Sequence, residues 1–374
     1  MKIEQFKMER MQSTWENVVQ FNLSESGVHP LSLRELAREE ELDEIARLGL
    51  GYSQTNGTPE LRQEIAALYP GSEIDQILTT AGSSEANFLL MWSILEPGDE
   101  VVFMMPNYMQ MWGLLWGFRA VLRPLWLREG LGWAPDLDEL STLVSGKTKL
   151  IIVTNPNNPT GAVLSREAMT AVIEAAAKVG AWIIADEVYQ GAERAGGATQ
   201  SFWGKYERVL IVNGLSKAYG LPGVRIGWII GPREFIQKTW PYHDYTTISP
   251  SVLSDRIARI ALSPENRPKI LRRTQDILKQ NFPILETWLR DQEGLFSFIP
   301  PVAGAIAFAR YYNQLNSTEL ATRLIKEKSV LIVPGDHFEM DHHLRFGFGS
   351  EEGYLRAGLA RISEFLAGIR KNGR

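Results

Sequence analysis

The sequence predicts an α/β protein, with a large domain built on a mostly parallel sheet flanked by helices and a smaller α+β domain. Short, fully apolar strands recur between helical stretches at residues 101–103, 150–153, 182–185, 209–212 and 227–230. Strands with no polar face need cover on both sides, the pattern of a mostly parallel sheet enclosed by helices. After Ser249 the pattern changes to long helical stretches at 256–262 and 270–289, then short strands around 305–308 and 330–333, which suits a second, α+β unit. A chain of 374 residues is long enough for both.

Taken in order, residues 33–48 carry Leu33, Leu36, Ala37, Leu42 and Ile45 at helical spacing among Arg and Glu, which predicts a helical run with a solvated charged face. Residues 88–95 form an apolar helical run entered through Gly82-Ser83-Ser84-Glu85-Ala86. That run is also the longest apolar stretch, far too short to cross a bilayer, and no apolar core of signal-peptide length lies in the first 22 residues. A soluble, cytoplasmic protein is expected. With 44% hydrophobic and 22% charged residues and a net charge of -5, there is no electrostatic reason to bind nucleic acid or an anionic membrane. The absence of cysteine excludes disulfides, thiolate metal sites and cysteine nucleophiles, and no metal is called for. The substrate is expected in a pocket.

The most informative residue is Lys217, in Asn213-Gly214-Leu215-Ser216-Lys217-Ala218-Tyr219-Gly220, followed eight positions later by Arg225. A lone amine among turn residues beside an apolar strand is presented to a cleft, where desolvation frees its lone pair for Schiff-base chemistry. Ser83 and Ser84 lie at a helix start, where unpaired N–H groups favour a phosphate; a simple N-cap role for Ser84 is the alternative. Asp186 follows the strand at 182–185 and sits at the carboxyl end of a parallel strand, where open α/β sheets bind ligands. Alternation along that strand turns the neighbouring Glu187 away. Asn158 lies in Asn155-Pro156-Asn157-Asn158-Pro159-Thr160-Gly161 after another strand; taken alone, this is a turn any α/β protein can contain.

Together with Pro106-Asn107-Tyr108 and His343-Leu344-Arg345-Phe346-Gly347, these runs resemble the class I/II aminotransferases, the fold-type I enzymes that use pyridoxal 5'-phosphate, over nearly the whole chain. The resemblance implies an aspartate aminotransferase-like fold, with residues 46–249 as the cofactor domain and residues 1–45 and 250–374 as the small domain. It implies a Schiff base on Lys217 and a phosphate site made by Ser83, Ser84, Ser216 and Arg225. Asp186 would keep the pyridine nitrogen protonated, Tyr189 and Asn158 would meet the ring's 3' oxygen, and Tyr108 would stack on the ring. On the substrate side it implies Arg345 as the fork for an α-carboxylate, with Asn158 and with Gly27 allowing close approach. Without the other runs, Arg345 reads equally as an edge-strand arginine paired with a surface carboxylate. Tyr52 would reach the phosphate of a neighbouring subunit, implying a homodimer; packing within its own chain is the alternative. One departure stands out: the family often has a hydroxyl three residues before the lysine, where this chain has Gly214.

The activity implied is transfer of the amino group of an L-amino acid to a 2-oxo acid, with Lys217 displaced by the incoming amine and then removing the α-proton. The shared runs fix carbanion formation and not its outcome. The stretch Glu25-Ser26-Gly27-Val28-His29-Pro30-Leu31-Ser32-Leu33-Arg34 resembles capreomycidine synthase-like members, which keeps a lyase or cyclase as the second reading.

Overall fold

The structure, a computed structural model, describes residues 3–292 and 294–372. Its main sheet has eight strands in the spatial order Ile77–Thr80, Gly227–Ile230, Val209–Gly214, Trp182–Asp186, Thr148–Thr154, Glu100–Met105, Val121–Arg128 and Ala134–Pro135. From Val209–Gly214 to Val121–Arg128 every pairing is parallel. The pairings made by Gly227–Ile230 and Ala134–Pro135 are antiparallel, so the mostly parallel sheet expected from apolar runs is present with antiparallel margins. Ile151, Ile152, Ile183 and Ile184 are fully buried, and burial of each stabilises the layer by roughly 1.5–3 kcal/mol.

The register of this sheet positions the site. Thr154 pairs with Asp186, and Asp186 with Val212, so three neighbouring strands end level and their following loops open onto one side. Helix Arg166–Val179 starts at Ser165, whose hydroxyl accepts from Ala168 N, and stops at Gly180 in the left-handed region, the usual chemistry of helix ends.

A second sheet is antiparallel throughout, in the order Phe296–Phe298, Ile306–Tyr311, His343–Gly347, Val333–Pro334. Helices Asn266–Arg290 and Glu352–Asn372 accompany it in sequence. The N-terminal segment contributes the helix Lys7–Trp15 and a short strand, Phe21–Asn22, parallel to Val330–Leu331. The helical run expected over 33–48 is two helices, Leu33–Leu36 and Glu39–Ala46. The break lies at Ala37 and Arg38, both extended, where Glu41 accepts from Arg38 N and begins a new helix. Hydrophobic spacing spans the break, so periodicity alone does not register it. Among the described residues no helix is long and apolar enough to cross a membrane.

Glu187 tests the interior. It is fully buried, accepts from Ser201 Oγ and Phe202 N, and burial pushes its carboxyl up to about 8. A carboxyl whose folded value is raised stabilises the protein fully below its unfolded value and loses that contribution as pH rises through the folded one. Glu187→Gln is therefore expected to flatten the fall of stability between about pH 4.5 and 8, with the variant on the order of a few kcal/mol ahead at pH 9. Urea unfolding of the cofactor-free protein across that range measures it.

Candidate active site

A cavity of about 490 Å³ opens where the parallel strands end, lined by Ser83, Ser84, Tyr108, Asn158, Asp186, Tyr189, Ser216, Lys217, Arg225 and Arg345. Residues separated by more than two hundred positions in sequence are thus brought to one place.

One end of the cavity is shaped by glycine. Helix Ser83–Ile94 has Gly82 as its N-cap at φ 83°, with no side-chain cap. Ser83 and Ser84 are the first helical residues rather than caps, and the first-turn N–H groups together with the positive helix end face the cavity. A methyl group on Gly82 would collide with the Arg225 guanidinium, and one on Gly227 would lie 2.5 Å from Gly82 C and Ser83 N. Both glycines are therefore needed for the arginine and the helix start to converge. Arg225 Nη1 lies 3.4 Å from Ser216 Oγ and its Nη2 donates to Ala81 O. The same crowding explains Gly214: a Cβ there would sit 2.9 Å from Ile226 O and 3.1 Å from Gly227 Cα, so no hydroxyl-bearing side chain fits. One turn into the helix, burial pushes Glu85 up, but hydrogen bonds from His243, Thr246 and Ala81 N and the His243 charge outweigh it and hold the carboxyl at about 2.

The centre of the cavity holds Asp186, 3% exposed, whose Oδ1 accepts from Val188 N at 3.1 Å. Burial pushes its carboxyl up to about 6, opposed by that hydrogen bond and by the charge of Lys217. Glu187 faces Ser201 and Phe202 on the other side of the strand. Tyr189 is 2% exposed, and its hydroxyl has no hydrogen-bond partner. Gly27 stands beside Lys217, with room for a Cβ only at 3.3 Å from Ser216 O.

At the far end lies Arg345, 1% exposed, on a strand flanked on both sides. Its Nη1 donates to Asn158 Oδ1 at 2.8 Å and its Nη2 to Ser24 O at 2.6 Å; Nε has no partner. It is not an edge-strand arginine, and among the described residues it makes no ion pair. Burial pushes its pKa down, while Tyr189, Glu25 and Glu9 act in the opposite direction. A buried cation without a directly paired anion is costly to the protein alone, a cost that an anionic ligand would offset.

Sequence reasoning missed the lid over this end. Phe6, Met8, Glu9, Gln12 and Glu16, from helix Lys7–Trp15 and its boundaries, line the cavity with Glu25, Ser26 and Gln110. Tyr108 packs edge-on against Phe6 with ring centroids 5.1 Å apart, and its hydroxyl donates to Glu9 at 2.9 Å. No motif marks these residues; the only sequence signal is that Glu9, Gln12 and Glu16 recur on one helical face. Tyr52 stands apart, 86% exposed and outside the cavity lining, so packing within its own chain is not its role.

Lys217, the buried Asp186, the crowded helix start beside Arg225 and the buried Arg345 guanidinium thus face one cavity. The chain belongs to the class I and II aminotransferases, whose family pattern matches residues 20–362. It is 34% identical over 349 residues to the capreomycidine synthase of Streptomyces vinaceus, covering 92% of this chain and 89% of that one. A PLP-dependent aminotransferase from Streptococcus suis superposes with a TM-score of 0.92 at 34% identity, with 98% of each chain covered. A PLP-dependent cyclase, OrfR, superposes at 0.90 with 27% identity over 99% of this chain and 98% of that one.

Pyridoxal 5'-phosphate is the cofactor of this family, and the residues present fit it. The glycine-walled cradle of Arg225 and the helix start suits the phosphate, Asp186 suits the ring nitrogen, and the unpartnered Tyr189 hydroxyl suits a ring oxygen. Gly82→Ala, which forces Arg225 aside and strains a left-handed position, is expected to weaken cofactor binding by at least about tenfold, read from cofactor release by fluorescence titration.

Proposed function

We propose that this protein is an aminotransferase, moving the amino group of an L-α-amino acid to a 2-oxo acid. The observation that carries the reading is Arg345: a buried guanidinium with no carboxylate of the protein to meet it, in the cavity that holds Lys217 and Asp186. When bound, pyridoxal phosphate supplies an aldehyde for the substrate amine and a ring that accepts electron density.

The chain's own groups do the rest. Arg345 fixes the substrate carboxylate through two N–H groups, with Asn158 holding the guanidinium in plane. That leaves the α-carbon near Lys217, whose free amine removes its proton. Asp186, ionised above about pH 6, supplies the negative charge that keeps a ring nitrogen protonated. Ser83, Ser84, Ser216 and Arg225 hold the phosphate, and Tyr108 covers the ring. Tyr52, exposed on this chain, belongs to a neighbouring subunit's phosphate site in a cytoplasmic homodimer. In this reading residues 46–249 carry the cofactor, and residues 1–45 with 250–374 close on the substrate.

A second reading, a lyase or cyclase, is favoured by the 34% identity to capreomycidine synthase. Single-turnover product analysis separates the two. Transfer gives one equivalent of 2-oxo acid per subunit without ammonia, whereas cyclisation or elimination gives loss of water or ammonia. Lys217→Ala is expected to lower turnover by about 10⁴-fold or more while cofactor remains bound. Retention of substantial turnover in that variant refutes the mechanism, as does a borohydride-reduced adduct mapped to any other residue.

A further inference from the structure

Glu85 is the third residue of helix Ser83–Ile94, in the same first turn as Ser83 and Ser84. A carboxylate there repels a phosphate held at the helix start. Its presence needs a reason. Glu85 lies behind the cavity lining, its side chain is 7% exposed, and both of its oxygens are occupied. Oε2 accepts from Ala81 N at 2.6 Å and faces Nε2 of the fully buried His243 at 3.4 Å. Oε1 accepts from the Thr246 hydroxyl, from Thr247 N at 3.2 Å and from the Thr247 hydroxyl at 2.8 Å. Donors from the end of helix Arg233–His243 and the loop after it thus offset part of its charge.

The contact with Ala81 is not an ordinary helix cap. In a capping box the acid at this position reaches back to the N–H of the N-cap residue. Here the N-cap is Gly82, whose N–H goes to Thr80 O, and Glu85 reaches one residue further. Ala81 turns its N–H to Glu85 and its carbonyl to Arg225, which donates from Nη2 at 3.2 Å. Arg225 is exposed, and its other hydrogen bonds, to Ser216 Oγ and Pro222 O, stay within its own loop. Ala81 O is therefore the contact that ties the guanidinium to the helix start. Without it a long, exposed side chain regains rotamer freedom, which it must surrender again when a phosphate binds.

Resting on the phosphate site proposed above, we infer that Glu85 is a positioning residue for the cofactor phosphate. By fixing the Ala81 peptide it holds Arg225 against the first turn of the helix, and the orientation gained outweighs the repulsion between carboxylate and phosphate. The effect is confined to ligands that carry the phosphate, because this line of contacts runs from Glu85 through Ala81 and ends at Arg225.

The test is titration of the cofactor-free protein, with no amino acid present, using pyridoxal 5'-phosphate and pyridoxal, which lacks only the phosphate, and following tryptophan fluorescence. Glu85→Ala is expected to weaken binding of pyridoxal phosphate about tenfold or more and to leave that of pyridoxal within about twofold. Glu85→Gln keeps an oxygen for Ala81 N and is expected to recover most of the loss. Should Glu85→Ala fail to fold, Thr246→Val combined with Thr247→Val, on an exposed loop, removes both hydroxyl donors to Oε1. That pair is expected to shift the ratio of the two affinities in the same direction by about threefold. Unchanged or tighter binding of pyridoxal phosphate by Glu85→Ala overturns the inference, as do equal losses for both ligands or a loss in Glu85→Gln as large as that in Glu85→Ala. Where Glu85→Ala does not fold, an unchanged ratio in the threonine pair overturns it. None of these results touches the amino-transfer reading, which the single-turnover products decide. If the unsubstituted protein binds pyridoxal as tightly as pyridoxal phosphate, the phosphate site itself falls, and this inference with it.

Discussion

An arginine buried without a direct ion pair is the constraint around which the cavity is organised. Arg345 is held by Asn158 from the loop after one strand of the main sheet and by the carbonyl of Ser24 from the N-terminal strap. It stands on the second sheet between Ile306–Tyr311 and Val333–Pro334. Three distant stretches thus meet at one guanidinium. Neutral acceptors satisfy part of its hydrogen bonding but give its charge no direct ion pair, an imbalance that a bound carboxylate would relieve.

The other end of the cavity meets the opposite requirement, bringing backbone groups close together. Here the solution is the removal of side chains. Gly82, Gly214 and Gly227 let the strand Gly227–Ile230, the strand Val209–Gly214 and the start of helix Ser83–Ile94 approach until no methyl group fits between them. Arg225 enters this space in a left-handed conformation at φ 52°, an uncommon geometry for a non-glycine residue that occurs at functional sites. The missing hydroxyl at position 214 follows from this crowding.

Much of this was legible in the sequence because it lies in short, contiguous runs. The apolar strands announced the main sheet, and the positions after them announced Asp186 and Asn158. Lys217, Arg225 and the serines at 83 and 84 stand in runs whose turn residues fix their local shape. What was not legible depends on long-range packing. Nothing in Glu9, Gln12 or Glu16 says that a helix at the start of the chain lies over a cavity formed by residues 83–225. The break between Leu33–Leu36 and Glu39–Ala46 was hidden because both halves keep the same hydrophobic spacing, and only the capping contacts of Glu35 and Glu41 show that each half begins as a helix of its own. Tyr52 presents a different case, since a side chain this exposed gains meaning only from what lies beyond its own chain.

The strand Trp182–Asp186 ends in consecutive acids, Asp186 turned to the cavity and Glu187 packed behind it against Ser201 and Phe202. Because side chains alternate along a strand, the two differ by a single step of register. Losing one residue from this strand would shift both acids by one place, delivering the longer acid to the cavity and the shorter one to the buried position of Ala185. The geometry of the chemistry is therefore protected by counting: the length of one interior strand matters to this site as much as the identity of any residue in it.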